Sequence, residues 1–516
     1  MFSILRLIRA FYVLTRYGVM ARLLKSIPNT PSFLKFLAKS FASKKKIKNH
    51  EIIKSINKLG PSYIKLAQFL ATRPDIVGTE ISEKLGLLQD RLEPFSKQQA
   101  IKQIAKSLNI SEETAQKQFL LFSESIAAAS IAQVHKAKWA DETGIIHNLA
   151  IKVIRPDVKE RFARDIKSFY RFANLAEKIS SKARRLRFIS IVQELDNTTR
   201  KEMDMRLEAS AISEMADNIV QDKNFRVPKI YWKLTGRDCL AMEWIDGIKI
   251  ANKNELKEAG FNLKNIAQNL MQAFLRHSLR DGYFHADMHP GNLFIDKYEN
   301  IVAVDFGITG RLSTKERFFL AQILYGFLTR DYILVSQAHF DAGYVPKHHK
   351  VEDFAQATRA IGDPIHGQKA KDISMANLLT LLFEVTEIFE MQTRPELIFL
   401  QKNMVIVEGV ARDLDPNFNM WKVAKPIVEE WMKQNIGFKN ISEEVQKAGK
   451  PLLNILYNMP DLLNHWRENQ LSNSKQHSLH LLPQAINSIT KYIFITQLSL
   501  VSLAVTLIYI AFRGCH

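Results

Sequence analysis

Three short motifs, met in a fixed order and each on a different kind of local element, constrain this chain more than its composition does. Lys152 lies inside the apolar run Asn148-Leu149-Ala150-Ile151-Lys152-Val153-Ile154, which reads as a buried strand. Next comes His285-Ala286-Asp287-Met288-His289-Pro290-Gly291-Asn292, a loop with Asp287 and Asn292 five positions apart. Asp305-Phe306-Gly307 then follows a short apolar run, 18 residues after Asp287. The residue types suit one chemistry. A strand ammonium can serve as a point charge for phosphates. An aspartate can accept the proton of an attacking hydroxyl, while an amide oxygen and a second carboxylate are hard ligands for Mg²⁺. Each piece alone is weak, because a lone strand lysine ordinarily snorkels and Asp-Phe-Gly arises by chance. The order and spacing together are specific.

That order is the order of a protein kinase, with Asp287 to Asn292 matching the spacing of its catalytic loop. The expected fold class is therefore α+β: a two-lobed protein-kinase-like fold with a helical N-terminal extension and a C-terminal transmembrane helix. Strands are expected at Phe119–Ser125, Ile131–Ala140 and Asn148–Ile154, with a turn at Asp141–Gly144, then at Val227–Trp232 and Leu240–Trp244, making a five-stranded lobe. Residues 158–222 and 262–282 read as helix, and Leu293–Ile295 and Ile301–Val304 as short strands. The rest to about 490 reads as helical, with loops near 343–350 and 362–371. The expected domains are a basic arm (1–50), a helical extension (51–118), an N-lobe with a helical insert (119–246), a helical C-lobe (247–490) and a membrane helix with a short tail (491–516). A competing reading takes His285, Asp287 and His289 as the H-x-D-x-H metal site of a hydrolase. It leaves Lys152, Asn292 and Asp305 unexplained, and the better role for the two histidines is to orient the loop.

Charge points to an anionic partner. The chain carries a net charge of +19, and residues 1–50 hold eleven Lys and Arg with no Asp or Glu. Ile4, Leu7, Ile8, Phe11 and Leu14 follow helical spacing opposite Arg6, Arg9 and Arg16, the pattern of a helix lying on an anionic phospholipid surface. An ordinary helix packed on the protein fits the same pattern. Tyr492–Phe512 contains no charged residue, is bracketed by Lys491 and Arg513, and as a helix would span about 31 Å. A membrane span with the long N-terminal part in the cytoplasm is expected. No standard nucleic-acid motif occurs, so no nucleic-acid partner is expected. Two cysteines, Cys239 and Cys515, exclude a disulfide framework.

The catalytic loop HADMHPGN resembles that of the UbiB family of atypical kinase-like proteins, named for a role in ubiquinone biosynthesis. Further motifs carry the resemblance: Leu59-Gly60-Pro61-Ser62-Tyr63-Ile64-Lys65-Leu66-Ala67-Gln68 with RPDIVG after it, Glu202-Met203-Asp204 with Glu208 four residues on, and VEGVARDLDP at 407–416. Ala127-Ala128-Ala129-Ser130 stands where ordinary kinases carry a glycine-rich loop, and an alanine loop is stiffer and keeps Cβ atoms near the phosphates. The resemblance implies ATP bound through Lys152 and the Ala127–Ser130 loop, Mg²⁺ on Asn292 and Asp305, and Asp287 as the catalytic residue. It also implies Glu208 as the partner of Lys152, with Glu194 and Glu160 as alternatives. Lys65 and Gln68, with Glu202 and Asp204, would cover the site. The implied function is an ATPase or phosphotransferase supporting ubiquinone biosynthesis. Its partners would be quinone precursors or the enzymes that process them, at the bacterial inner membrane or, alternatively, the mitochondrial one. A conventional protein kinase and a silent nucleotide-binding scaffold are the competing functions. The chain departs from the family in having Ala67 where glycine is usual.

Overall fold

The computed structural model describes residues 55–71, 92–179, 187–367 and 395–436, with isolated positions between 9 and 16, at 85 and 184, and between 381 and 391. The apolar segment Tyr492–Phe512 lies outside them, as does most of the basic arm. Among the described residues no helix is long and apolar enough to cross a membrane. Of the arm, Arg9, Tyr12, Val13 and Arg16 are described. All four are helical, and Val13 is buried with Leu59 against Tyr63.

Helix α1 (Pro61–Ala71) is followed by α2 (Lys97–Leu108) and α3 (Glu112–Gln118). Ser96 and Gln99 form a reciprocal capping box at the start of α2. Three strands then run antiparallel: β1 (Leu121–Ala128), β2 (Ala132–Ala140) and β3 (Ile146–Ile154). The turn between β2 and β3 forms where Asp141, Thr143 and Gly144 predict it. The Asp141 carboxylate accepts from the Thr143 and Ile145 amides, and Gly144 adopts φ +84°. Helices α4 (Val158–Ile179), α5 (Phe188–Glu202) and α6 (Met205–Asn218) come next, then β4 (Phe225–Arg226) and β5 (Cys239–Glu243).

The first sheet has four strands, in the order β1-β2-β3-β5, not the expected five. Val227–Trp232 does not join it as a strand. Phe225–Arg226 pairs in parallel with a strand of the second sheet, and Trp232 begins a 3-10 turn, with a single bridge at Ile230 linking the segment to Met242. Pro228 has no amide hydrogen to give to a ladder.

Alternation along β3 decides what each side chain meets. Leu149, Ile151 and Val153 bury against Ala100, Ile101, Ile104 and Ala105 of α2. Ala150 and Ile154 face the other way, into the large core with Met205, Ala209 and Ile212 of α6. Lys152 shares that second side by register.

The second half begins with β6 (Gly247–Lys249), α7 (Lys253–Glu258) and α8 (Leu263–Arg276). Short strands β7 (Tyr283–His285), β8 (Leu293–Asp296), β9 (Ile301–Ala303) and β10 (Thr309–Arg311) follow. The order β4-β9-β8-β6 makes the second sheet, and β7 pairs with β10 separately. Helices α9 (Thr314–Thr329), α10 (Tyr332–Asp341), α11 (Val351–Gly367), α12 (Pro395–Leu414) and α13 (Met420–Ile436) complete the described chain. A loop forms at 343–350, but the loop expected at 362–371 does not begin where Gly362, Asp363 and Pro364 suggest, because α11 continues to Gly367. Gly362 is needed for packing. A Cβ there would come within 2.4 Å of the Tyr332 ring, and the Tyr332 hydroxyl donates to Asp363 at 2.7 Å.

Candidate active site

Strand β3 carries Lys152 into the molecule, opposite Val134 on β2 and Leu240 on β5. Its Nζ lies 2.8 and 2.9 Å from the two carboxylate oxygens of Glu208, in the first turn of α6, and 3.0 Å from Asp305 Oδ1. One ammonium thus serves two carboxylates, and they divide it unequally. Lys152 holds Asp305 down at about 2, against the opposing effect of burial. Burial outweighs the lysine at Glu208 and, with the neighbouring Asp305 charge, pushes it up to about 7. Burial by itself would lower Lys152, but Asp305 and Glu208 together raise it, so it is charged at neutral pH.

A second lysine–carboxylate pair adjoins the first. Lys65 on α1 meets Glu202, the last residue of α5, at 2.5 Å. Burial raises the Glu202 carboxyl, with Lys65 opposing and Asp305 adding to the rise. Its other oxygen, Oε1, is buried without a partner. Gln68 lies one turn along α1 and partly buried, and shares a helix face with Lys65. Asp204 is used differently. It caps α6 by accepting from the Arg206 amide and pairs with the Arg206 guanidinium at 2.7 and 2.9 Å, which holds its carboxyl low. Ala67 packs in a buried cluster with Ile56, Ile64 and Leu85. Glu160, an alternative partner for Lys152, is exposed on α4.

The loop from His285 to Asn292 is fastened from several sides. The Asp287 amide donates to His285 Nδ1 at 3.0 Å, so the proton of this ring sits on Nε2 and is donated to the Val304 carbonyl at 3.2 Å. Burial lowers the His285 pKa, which agrees with a neutral ring. His289 Nδ1 accepts from the Gly291 amide at 3.2 Å and caps the short turn Pro290–Asn292. Both nitrogens of His285 are therefore engaged, one in the loop and one on Val304, which removes His285 as a ligand from the H-x-D-x-H metal reading. Among the described residues the group with metal-ligand spacing is elsewhere, at His348, His349 and Glu390. Asn292 Nδ2 donates to the Asp287 carbonyl at 3.1 Å and reaches Oδ2 at 3.4 Å. Its Oδ1 is turned to neither contact.

Asp305 is tied to the same loop by the preceding residue, whose amide donates to Asn292 O at 2.9 Å. Asp305 itself adopts φ +63°, a left-handed conformation that costs a non-glycine residue about 1–2 kcal/mol. Its ion pair with Lys152 holds it there. Phe306 is buried with its ring edge-on to His285, the centroids 4.5 Å apart. A Cβ at Gly307 would stand 3.3 Å from Asp305 Oδ1.

The alanine segment divides between strand and turn. Ala127 and Ala128 end β1, and Ala129 and Ser130 begin the connection to β2. This tip is pinned. The Ala129 amide donates to Ala132 O at 2.8 Å, Arg155 Nε donates to Ala129 O at 2.8 Å, and the Leu92 amide reaches Ala128 O at 3.3 Å. Gln133, on β2, exchanges hydrogen bonds with the Phe95 backbone at 2.9 and 3.0 Å. Residues 92–95 thus lie across the hairpin and hold its end.

Two residues of the site escaped the sequence reading. Asn403 on α12 is fully buried. Its Nδ2 donates to His285 O at 2.6 Å and its Oδ1 accepts from the Met288 amide at 2.8 Å, clamping the loop on both sides of Asp287. Beside it, Lys402 Nζ lies 3.8 Å from Asp287 Oδ1. Both stand just ahead of the 407–416 stretch, which was the nearest signal in the sequence.

Comparison with known proteins agrees with this geometry. Residues 87–339 match the ABC1 atypical kinase-like domain and residues 358–419 the UbiB helical domain. The chain is 36% identical to a protein of Histophilus somni named "Probable protein kinase UbiB", over 77% of this chain and 74% of that one. A protein of the same name from Marinobacter nauticus is 35% identical over 89% of this chain and 84% of its own length. Among solved structures, the Mycobacterium tuberculosis protein Rv3197, determined in complex with erythromycin, shares the fold at a TM-score of 0.51 and 21% identity. That match covers 74% of this chain and 98% of that one. With the kinase-like site assembled and relatives matched over most of their length, the chain belongs to the UbiB family of ABC1 atypical kinase-like proteins.

Proposed function

We propose that this chain is an ATP-dependent enzyme of the atypical kinase type, an ATPase or phosphotransferase, that supports ubiquinone biosynthesis at a membrane. The observation that carries the reading is Lys152 held between Glu208 and Asp305 at 2.8 to 3.0 Å, with Asp305 joined through Val304 to the Asp287–Asn292 loop. This is a fixed cation where nucleotide phosphates need one, joined to a loop whose carboxylate, Asp287, can act on a proton.

The residues suit Mg²⁺. Asn292 Oδ1 and the Asp305 carboxylate, which Lys152 keeps ionised, are hard oxygen donors. When bound, Mg²⁺ supplies neutralisation of phosphate charge. Lys152 orients the α- and β-phosphates. Asp287 orients the attacking water or hydroxyl and takes its proton, while Asn292 and His285 hold Asp287 in register. The pinned Ala127–Ser130 tip restricts the approach of backbone amides to the nucleotide. The Lys65–Glu202 pair and Gln68 narrow access from the α1 side, which favours water or a small acceptor over a protein chain. The kinase-named relatives and the family's quinone role support the pathway. The charge-free Tyr492–Phe512 segment and the basic arm support attachment to an anionic membrane, with the catalytic part in the cytoplasm.

The test is Mg²⁺-dependent binding of ADP and ATP, and ATP turnover, by the purified full chain with and without anionic liposomes and phenolic quinone-precursor mimics. Asp305→Asn should weaken Mg-nucleotide binding, whereas Asp287→Asn should leave binding nearly intact and abolish turnover. Equal loss of binding in both would break this division of roles. Quinone profiles of a deletion strain carrying Asp287→Asn should match the deletion, and normal quinone content would overturn the pathway assignment.

A further inference from the structure

The loop that carries Asp287 supplies no cation of its own. Between Asp287 and Asn292 stand Met288, His289, Pro290 and Gly291, none of them a lysine or arginine, and His289 Nδ1 accepts from the Gly291 amide. Lys152 is committed to Glu208 and Asp305. With Lys152 on the α- and β-phosphates, the γ-phosphoryl oxygens would therefore meet no further side-chain cation from these elements. The missing charge comes from α12, within the UbiB helical domain. Among the described residues, Lys402 is the one cation paired with Asp287.

Its setting suits a group that moves. At 3.8 Å the pair is loose, and the Lys402 side chain keeps 41% of its surface exposed. A lysine on a flexible four-carbon stem can leave such a contact for a phosphate oxygen nearby. Its backbone cannot drift, because the next residue, Asn403, is buried and bonded on both sides of Asp287 at 2.6 and 2.8 Å. The clamp and the charge are adjacent residues of one helix, so the helix that locks the loop also delivers the cation.

We infer that Lys402 is a further catalytic residue, which places its ammonium on the γ-phosphoryl group during transfer. The inference rests on the phosphoryl-transfer reading above. In that step the acceptor oxygen bonds to Pγ as the bond from Pγ to the bridging oxygen breaks. The acceptor's proton passes to Asp287, and ADP departs with the bridging electron pair. Lys402 contributes no atom. It stabilises charge on the γ-oxygens, the kind of interaction whose removal costs about 10²-fold in rate.

The experiment compares the full chain with its Lys402→Ala and Lys402→Arg variants. It measures ADP affinity, the affinity of a non-hydrolysable ATP analogue, ATP turnover and thermal stability. Lys402→Ala should keep ADP affinity within about twofold, lose affinity for the triphosphate, and lower kcat by about 10²-fold. Lys402→Arg should recover part of both losses, and the melting temperature should be unchanged. An unaltered ratio of triphosphate to diphosphate affinity would overturn the assignment. So would parallel loss of both affinities with a lowered melting temperature, which would mark Lys402 as structural. Absence of nucleotide binding by the unaltered chain would instead remove the ATP-dependent function itself, a separable outcome.

Discussion

Lys152 and Lys402 each lie beside an aspartate of the site, and they are held in opposite ways. Lys152 sits on a central strand, nearly buried, with three carboxylate oxygens within 3.0 Å. Lys402 sits on a helix far along the chain, half in solvent, at 3.8 Å from its single aspartate contact. A charge desolvated between two carboxylates is fixed before any ligand arrives, and removing it strands what it neutralised. A screened, loose pair is worth little to stability and can be exchanged for a ligand contact. The strand side of the site is built to hold, and the loop side to respond.

The largest expected effect breaks the fixed half. Lys152→Ala leaves Glu208 buried without its partner, and should cost about 3–5 kcal/mol of stability above pH 7, where Glu208 would otherwise be ionised, together with nucleotide binding. Denaturant unfolding with an ADP titration checks this. Retained stability at neutral pH would show that Glu208 escapes the cost by taking a proton.

Next comes the clamp on the responsive half. Asn403→Ala leaves the His285 carbonyl and the Met288 amide without partners in a buried place, at a cost of about 2–3 kcal/mol. The loop should then lose register, lowering turnover while nucleotide affinity, anchored at Lys152, changes little. Equal loss of affinity would mean that the two halves of the site are one cooperative unit.

The smallest effect is a slope against pH. Glu208 is raised to about 7 from an ordinary 4.5. Its contribution to stability is thus fully present below pH 4.5 and is lost as pH rises through 7, since the folded state holds the proton longer than the unfolded one. Asp305, lowered from 3.8 to about 2, acts in the opposite sense. Its contribution is present above pH 3.8 and lost as pH falls through 2, so it is constant across the Glu208 window. Stability of the unaltered chain relative to Glu208→Gln should therefore decline from pH 4.5 to 7. Parallel curves would show that Lys152, not burial, sets the state of Glu208.

The same contrast separates what could be read in advance. Asp287, Asn292 and Asp305 were legible because their geometry is local. The six residues from Asp287 to Asn292 are closed by the Asn292 side chain on the Asp287 backbone, a contact between near neighbours in the chain. Strands β1 to β3 were legible through alternation and the Asp141–Gly144 turn. Glu208, 56 residues from Lys152, was reached only through the family resemblance. The short strands β4, β6, β7 and β10 have two or three residues each, too few to show a period, and owe their existence to distant partners.

The sequence by itself determined the kinase-like order of elements, the local shape of the catalytic loop and the family, because periodicity and short-range hydrogen bonding are written in neighbouring residues. Tertiary structure alone decided that one ammonium is shared by Glu208 and Asp305, that residues 92–95 and Arg155 pin the alanine tip, and that Asp204 serves Arg206 and the start of a helix. It alone brought Asn403, 115 and 118 residues away, onto the two sides of Asp287. The physical reason is the same in each case. A lysine, an asparagine or an arginine looks alike on any helix or strand until folding removes water from around it and leaves a particular partner in hydrogen-bonding range.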